Sequence, residues 1–181
     1  MTSIRRICFI SYHHDDQREV DQFIRAFDHE RDIFIARGLG QEMSQDVIDS
    51  NDTEYVMRRI RESFLRSSTV TIVLMGKCTW ARRYVDWELQ ASLRTGYTVI
   101  PNGLLGIRLP SFNTSTPYPQ RLSYNLKRTA EQEDSYARVM DYPTRKEVLA
   151  EEIERAFQRR LTHLKWLCNP RERFKHNKRC S

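Results

Sequence analysis

Glu88 is the residue of this sequence whose type and position most suggest chemistry. It comes four residues after Tyr84 and three after Val85, so on a helix it lies at the margin of the buried stripe. A carboxylate in that place could reach a ligand beside a sheet. A helical glutamate is more often exposed and paired with Lys or Arg, so the spacing alone does not assign a function.

The side chains around Glu88 would suit a ligand that has aromatic rings and phosphates. Trp80, Tyr84 and Trp87 lie close to it in sequence, and aromatic rings of this kind can stack on a base or a pyridine ring. Arg82 and Arg83 precede the helix, and guanidinium groups can hold a pyrophosphate.

Several other kinds of site do not fit the sequence. Residues 38–43 have two of the three glycines of a dinucleotide fingerprint and follow the second strand instead of the first. Residues 76–79 lack the earlier glycine of a phosphate loop, and the third strand has no aspartate that could accept a phosphoryl group. The cluster from His13 to Asp16 does not have the spacing of a compact zinc site, so we expect no metal.

The elements that must position Glu88 alternate between strands and helices. Strands are predicted at 6–11, 32–36, 69–75 and 97–100, and the run 104–109 either continues the last of these or pairs beside it. Helices are predicted from the apolar spacing that begins at Val20, from a cap at Asn51 or Asp52, over 82–94 and over 145–167. This order predicts a parallel sheet with helices on both faces and ligands at the carboxyl ends of its strands.

The length of 181 residues predicts one domain over 1–169, followed by a basic tail at 170–181. The net charge is +6, and the tail contributes five basic residues against one acid. We expect this tail to be solvated and frayed, and nucleic-acid binding through it to be the less favoured interpretation. The long polar stretch 110–143 is either functional or partly ordered against the core.

The cysteines and the hydropathy pattern bear on the location of the protein. Four cysteines without a C-x-x-C pair, in a chain without an apolar leader, favour free thiols. No run approaches the length of a membrane helix. We therefore expect a cytoplasmic protein.

Two segments resemble the TIR domain family. The sequence from Cys8 to Tyr12 resembles the first conserved box of TIR domains, and the stretch 84–89 is similar to their W-C-x-x-E-L helix motif, with Tyr84 and Val85 in place of Trp and Cys. The stretch 69–93 resembles more closely the TIR-like proteins that form the signal-producing subunit of the Thoeris anti-phage system. The likeness covers roughly residues 4 to 108, although the Pro-Gly of the loop after the second strand is missing.

The resemblance implies a flavodoxin-like α/β fold and an enzyme that cleaves the nicotinamide–ribose bond of NAD, which is its substrate and not a cofactor. It implies Glu88 as the catalytic glutamate, ionised at neutral pH as its reference pKa suggests. The implied product is a nucleotide derived from ADP-ribose that activates a separate effector protein, after a trigger that could come from a phage. A homo-oligomer is possible, and the linkage of the product stays open.

Further substrate contacts are expected from residues at the end of the first strand and in the loop after the second. Phe9, Ser11, Tyr12 and His13 could line the nicotinamide side, and Asp46 or Asp49 could contact a ribose. These residues are equally compatible with a core position or with loop capping. The alternative function is a TIR-type adaptor that assembles with like domains and has no catalytic activity.

Overall fold

The computed structural model describes residues 4–29, 33–38, 50–127 and 133–180 of the chain. These residues contain a five-stranded parallel sheet in the order β2-β1-β3-β4-β5. The strands are β1 (Arg6–Ser11), β2 (Phe34–Arg37), β3 (Val70–Met75), β4 (Gly103–Arg108) and β5 (Arg138–Met140). The sheet confirms the predicted flavodoxin-like α/β fold.

The described helices flank this sheet. They are α1 (Gln17–Ile24), α2 (Thr53–Ile60), α3 (Arg83–Ser92), α4 (Gln120–Tyr124) and α5 (Lys146–Thr162). Asp52, one of the two predicted caps, accepts a hydrogen bond from the Tyr55 backbone N–H at 3.1 Å and begins α2. No helix in the described ranges has the length and apolar character needed to cross a membrane.

Different helices cover the two faces of the sheet. Phe23 of α1 and Ile153 of α5 belong to the same buried cluster as Ile10 of β1. On the other face, Leu89 of α3 packs in a cluster with Val73 of β3. Successive side chains of a strand point to opposite faces, and helices cover both faces of this sheet. The central strands are therefore apolar almost throughout, and all six residues of β3 are buried.

The strand order creates a switch point between β1 and β3. The chain passes from β1 to β2 on one side and then crosses to β3 on the other. Connections leave the sheet in opposite directions at such a point, which opens a crevice at the carboxyl ends of the strands. Ser11 ends β1 there, and α3 begins soon after β3.

The prediction of a strand over 97–100 is wrong. Gly96 and Val99 form only an isolated antiparallel bridge, and the side chain of Tyr97 is fully exposed. The fourth strand is Gly103–Arg108, which pairs with β3 along its whole length. That run is apolar on both faces, so it is the better match for a position between two strands.

The stretch 110–143 is partly ordered against the core, one of the two outcomes expected for it. It contains α4 and β5, and within it Leu122 and Tyr136 are fully buried. The last helix ends at Thr162, before the predicted 167. The side chains of Leu161 and Leu164 are exposed, and beyond Thr162 the chain continues as a short 3₁₀ helix at Leu164–Trp166.

The expectation of a frayed tail is wrong. Residues 169–180, here called the C-terminal strap, lie along α3. The indole Nε1 of Trp87 donates to the Phe174 carbonyl at 2.8 Å, and the Gln90 amide donates to the Pro170 carbonyl at 2.9 Å. The strap also supplies a cap, because the backbone N–H of Arg83 at the start of α3 donates to Asn177 Oδ1 at 2.9 Å.

A buried ion pair fixes the middle of the strap. Arg121 Nε donates to Asp86 Oδ1 at 3.0 Å, and both side chains are almost fully buried. The same guanidinium donates to the carbonyls of Pro170 and Glu172 at 2.8 and 2.7 Å. Asp86 Oδ2 accepts the Phe174 N–H at 3.0 Å. Each of these charges is therefore compensated by several hydrogen bonds.

The expectation of four free thiols is wrong for one pair. Cys78 and Cys180 form a disulfide with their Cα atoms 5.7 Å apart, across a sequence separation of 102 residues. Cys8 and Cys168 are free. The pairing depends on the path of the strap, which brings the end of the chain to the turn before α3.

Candidate functional site

Glu88 and Ser11 meet at the switch point. Ser11 Oγ donates to Glu88 Oε2 at 2.6 Å; Ser11 is fully buried and Glu88 is partly buried. Glu88 lies three residues after Val85, which packs on the sheet, so both are on the side of α3 that faces it. The structure thus places the helical carboxyl group beside the end of the first strand.

Burial raises the pKa of Glu88 from its ordinary value of 4.5 to about 8, and the hydrogen bond from Ser11 acts in the opposite direction. In the described part of the chain, no cation pairs with this carboxyl group. The expectation of an ionised Glu88 at neutral pH is therefore wrong for the free protein. A positively charged ligand would restore the ionised form.

The alternation along β1 separates the candidates that follow it. Phe9 and Ser11 face the side of the sheet that carries α3, and Phe9 is buried close to Gly38, whose φ of 77° lets the backbone pass the ring. Tyr12 faces the other side, packs against the cluster of α1 and donates its hydroxyl to Gln17 Oε1 at 2.7 Å. Tyr12 therefore lies apart from the pair of Ser11 and Glu88.

His13 follows β1 and is buried. Burial and the nearby charge of Arg82 lower its pKa, which favours a neutral imidazole. Its Nε2 lies 2.9 Å from one oxygen of Asp15, and Nε2 of His14 lies 3.0 Å from the other oxygen. The donor atoms of these three residues lie within 4.8 Å of one another, a grouping that could hold a metal ion.

Arg82 is the most notable cation at this edge. Its Nε is buried and has no hydrogen-bond partner among the residues that the structure describes. Its charge acts on both His13 and Asp16, which places it at the carboxyl ends of the strands. An unpartnered buried N–H at this edge could serve an anionic group of a ligand.

Arg83, Tyr84 and Trp87 form a separate aromatic group. The Arg83 guanidinium lies 5.0 Å from the ring centroid of Tyr84 and 5.3 Å from that of Trp87. Trp87 is buried, and both rings pack with α2. These contacts stabilise the packing of α2 against α3. The group is separate from the pair of Ser11 and Glu88.

The remaining predicted residues, Trp80, Asp46 and Asp49, have different outcomes. Trp80 lies half-buried in the short turn Thr79–Ala81 that leads into α3. Asp46 and Asp49 lie outside the described residues, so their predicted contact with a ribose stays a prediction.

Sequence reasoning missed the group that closes the end of β3. Thr79 Oγ1 accepts the Gly76 N–H at 2.9 Å and donates to Asp16 Oδ2 at 3.2 Å. A Cβ on Gly76 would lie 2.2 Å from Asp16 Oδ1, so a side chain there would displace the Asp16 carboxylate from Thr79. The glycine directly after an apolar strand was the available signal.

Two comparisons with known proteins bear on the family of this chain. A search of curated proteins finds no match. The sequence matches the family described as "Thoeris protein ThsB, TIR-like domain" over residues 9–114. This span includes Ser11, Glu88 and all of β1 from Phe9 onward, and it covers more than half of the chain. The chain therefore belongs to the ThsB TIR-like domain family of the Thoeris anti-phage system.

Proposed function

We propose that this protein cleaves the nicotinamide–ribose bond of NAD and that Glu88 is the catalytic residue. The observation that supports this most is the partly buried carboxyl group at the switch point, bound by Ser11 and without a cationic partner among the described residues. Ligands of open parallel sheets bind at this position. Membership of a Thoeris family gives the reaction its anti-phage context.

The reaction needs one carboxylate. As the bond breaks, its electron pair leaves with nicotinamide, which departs as a neutral pyridine and requires no general acid. Positive charge builds on the ribose ring, and an ionised Glu88 would stabilise that charge in the transition state. Water then adds to the ribosyl carbon and loses a proton, so NAD⁺ and water give ADP-ribose, nicotinamide and H⁺. Another nucleophile in place of water would give a cyclic or conjugated product.

The raised pKa of Glu88 couples binding to protonation. In the free protein a pKa of about 8 leaves most of this carboxyl group neutral at pH 7. The nicotinamide ring of NAD carries a positive charge, which favours the carboxylate, so binding releases a proton. The Ser11 hydroxyl binds Oε2 of Glu88, and Oε1 of Glu88 would accept a hydrogen bond from a ribose hydroxyl.

The proposal also covers the binding of the pyrophosphate, the use of the product and the trigger of the enzyme. Arg82 would hold the pyrophosphate through its unpartnered Nε. The product, a nucleotide derived from ADP-ribose, would activate a separate effector protein in the cytoplasm. A phage component would trigger the enzyme, alone or as a homo-oligomer.

The test compares Glu88→Gln with the wild type. Each protein is incubated with NAD, with and without filtered lysate of phage-infected cells, and small molecules are identified by mass spectrometry. We expect nicotinamide release to fall at least about 100-fold in Glu88→Gln. Glu62→Gln, a change at an exposed glutamate, is the matched control and keeps full activity.

Two results would contradict the proposal. Equal nicotinamide release by Glu88→Gln and the wild type would remove the role of this residue. A wild type that is silent in every condition, yet assembles in light scattering, would favour the adaptor function instead.

A further inference from the structure

A cavity lies at the carboxyl end of β4, and Glu88 is not among the residues that line it. Its volume is about 570 Å³, within the range of small-molecule sites. The residues that line it come from the ends of β4 and β5 and from the loop 109–119, and they are Arg108, Phe112, Thr114, Thr116, Pro117, Tyr118 and Asp141. The proposed cleavage of NAD uses none of them.

The loop that forms the wall is held by its own hydrogen bonds. The Phe112 N–H donates to the Leu109 carbonyl at 2.9 Å, and the Thr116 N–H donates to the Asn113 carbonyl at 2.8 Å. Ser111 binds Glu19 of α1 through its N–H at 3.0 Å and its hydroxyl at 2.5 Å. A wall ordered in advance loses little conformational entropy when a ligand binds.

Two aromatic rings line the cavity and are only half-buried. The ring centroids of Phe112 and Tyr118 lie 5.7 Å apart, and the planes are tilted by 31°. Exposed aromatic surface that faces a cavity is a stacking platform for a flat ring such as a nucleobase.

Arg108 adds a positive charge beside this platform. It donates through Nε to the Tyr118 hydroxyl at 3.1 Å, and again through Nη2 to the same oxygen. Its Nη1 donates to Asp141 Oδ1 at 2.8 Å, but the side chain of Asp141 is 88% exposed. Such an exposed ion pair is weak, so a phosphate can displace Asp141 while Tyr118 keeps Arg108 in place.

We propose that this cavity binds a nucleoside phosphate, with the base on Phe112 and Tyr118 and the phosphate on Arg108. The site is distinct from the pair of Ser11 and Glu88, because β1 and β4 are separated by β3, or about 10 Å across the sheet. Neither Glu88 nor Arg82, the two residues that we assign to NAD, lines this cavity.

The test measures equilibrium binding of AMP, adenosine and inorganic phosphate to the full chain by isothermal titration calorimetry. We expect AMP to bind about tenfold more tightly than either part alone. Arg108→Gln removes this preference for AMP, and Phe112→Ala weakens AMP and adenosine equally. Arg94→Gln, at an exposed arginine outside the cavity, is the control and changes neither.

Two further variants make the result independent of folding. Asp141→Asn removes the group that competes with the phosphate, so AMP should bind severalfold more tightly. Glu88→Gln should leave AMP binding unchanged, which separates this site from the one proposed for NAD cleavage. The inference is overturned if AMP does not bind at millimolar concentration, if Asp141→Asn weakens binding, or if Glu88→Gln abolishes it.

Discussion

Asp86 and Glu88 lie two residues apart on α3 and have opposite surroundings. Asp86 is buried with Arg121, and it also accepts a backbone hydrogen bond from the strap. Glu88 faces the other way, toward the sheet edge, where the Ser11 hydroxyl donates a hydrogen bond to it and burial raises its pKa to about 8. A carboxylate that is fully paired stabilises the fold, whereas one left without a cation retains free energy that a ligand can use.

The largest expected effect comes from breaking the paired side. Asp86→Asn leaves the buried Arg121 guanidinium without its counter-charge, so the free energy of unfolding should fall by about 3–5 kcal/mol. Urea denaturation measures this. Asp141→Asn removes an exposed carboxylate from Arg108 and should cost less than about 1 kcal/mol. Similar losses in the two variants would show that burial of the pair at Asp86 does not matter.

The disulfide at the end of the strap should have the next largest effect. Cys180→Ser opens a covalent loop of 102 residues and should lower the free energy of unfolding by about 2–4 kcal/mol under oxidising conditions. Cys168→Ser, at a free cysteine, is the control for loss of a thiol. With a reducing agent present, the wild type and Cys180→Ser should have the same stability; a persistent difference would point to packing of the side chain instead.

The raised pKa of Glu88 predicts a smaller effect that depends on pH. Because the pKa of Glu88 is higher in the folded state than in the unfolded state, its neutral carboxyl group contributes stability. This contribution is complete below about pH 4.5 and is lost as the pH rises toward 8. Glu88→Gln does not ionise, so relative to the wild type it should gain about 1–3 kcal/mol between pH 4.5 and 8. Chemical denaturation at both pH values measures the change. A difference that is the same at both would contradict the raised pKa.

The smallest effect concerns the hydrogen bond between Ser11 and Glu88. Because this bond lowers the pKa of Glu88, Ser11→Ala should raise that pKa further, by about one pH unit. Carbon NMR titration of the labelled glutamate carboxyl groups measures the shift without requiring activity. Ser111→Ala, which removes a hydroxyl bound to Glu19, should leave the titration of Glu88 unchanged. An unchanged titration in Ser11→Ala would show that the hydroxyl does not act on Glu88.

Local pattern was enough to predict the parts of the fold that build the site. The apolar runs of β1 and β3 and the helical spacing that leads to Leu89 are properties of short segments, and they place Glu88 correctly beside the sheet edge. The matched family adds the anti-phage context that residue spacing alone could not supply.

Features that depend on contacts distant in sequence could not be predicted. β5 has three residues and no recognisable period, and the disulfide forms only because the strap returns to Cys78. The charged residues of the strap indicated a solvated end, although Arg121 and Trp87 bind its carbonyl groups. The pKa of Glu88 depends on which groups surround it in space, and its sequence neighbours do not reveal that.

The matched family segment and the folding unit have different limits. A fragment trimmed to residues 9–114 would lose β5, α5 and Arg121. β4 would become a bare edge with unpaired N–H and C=O groups, and Asp86 would be stranded without a counter-ion. Such a minimal fragment should aggregate on expression, so recombinant versions of this protein need the chain through Cys180.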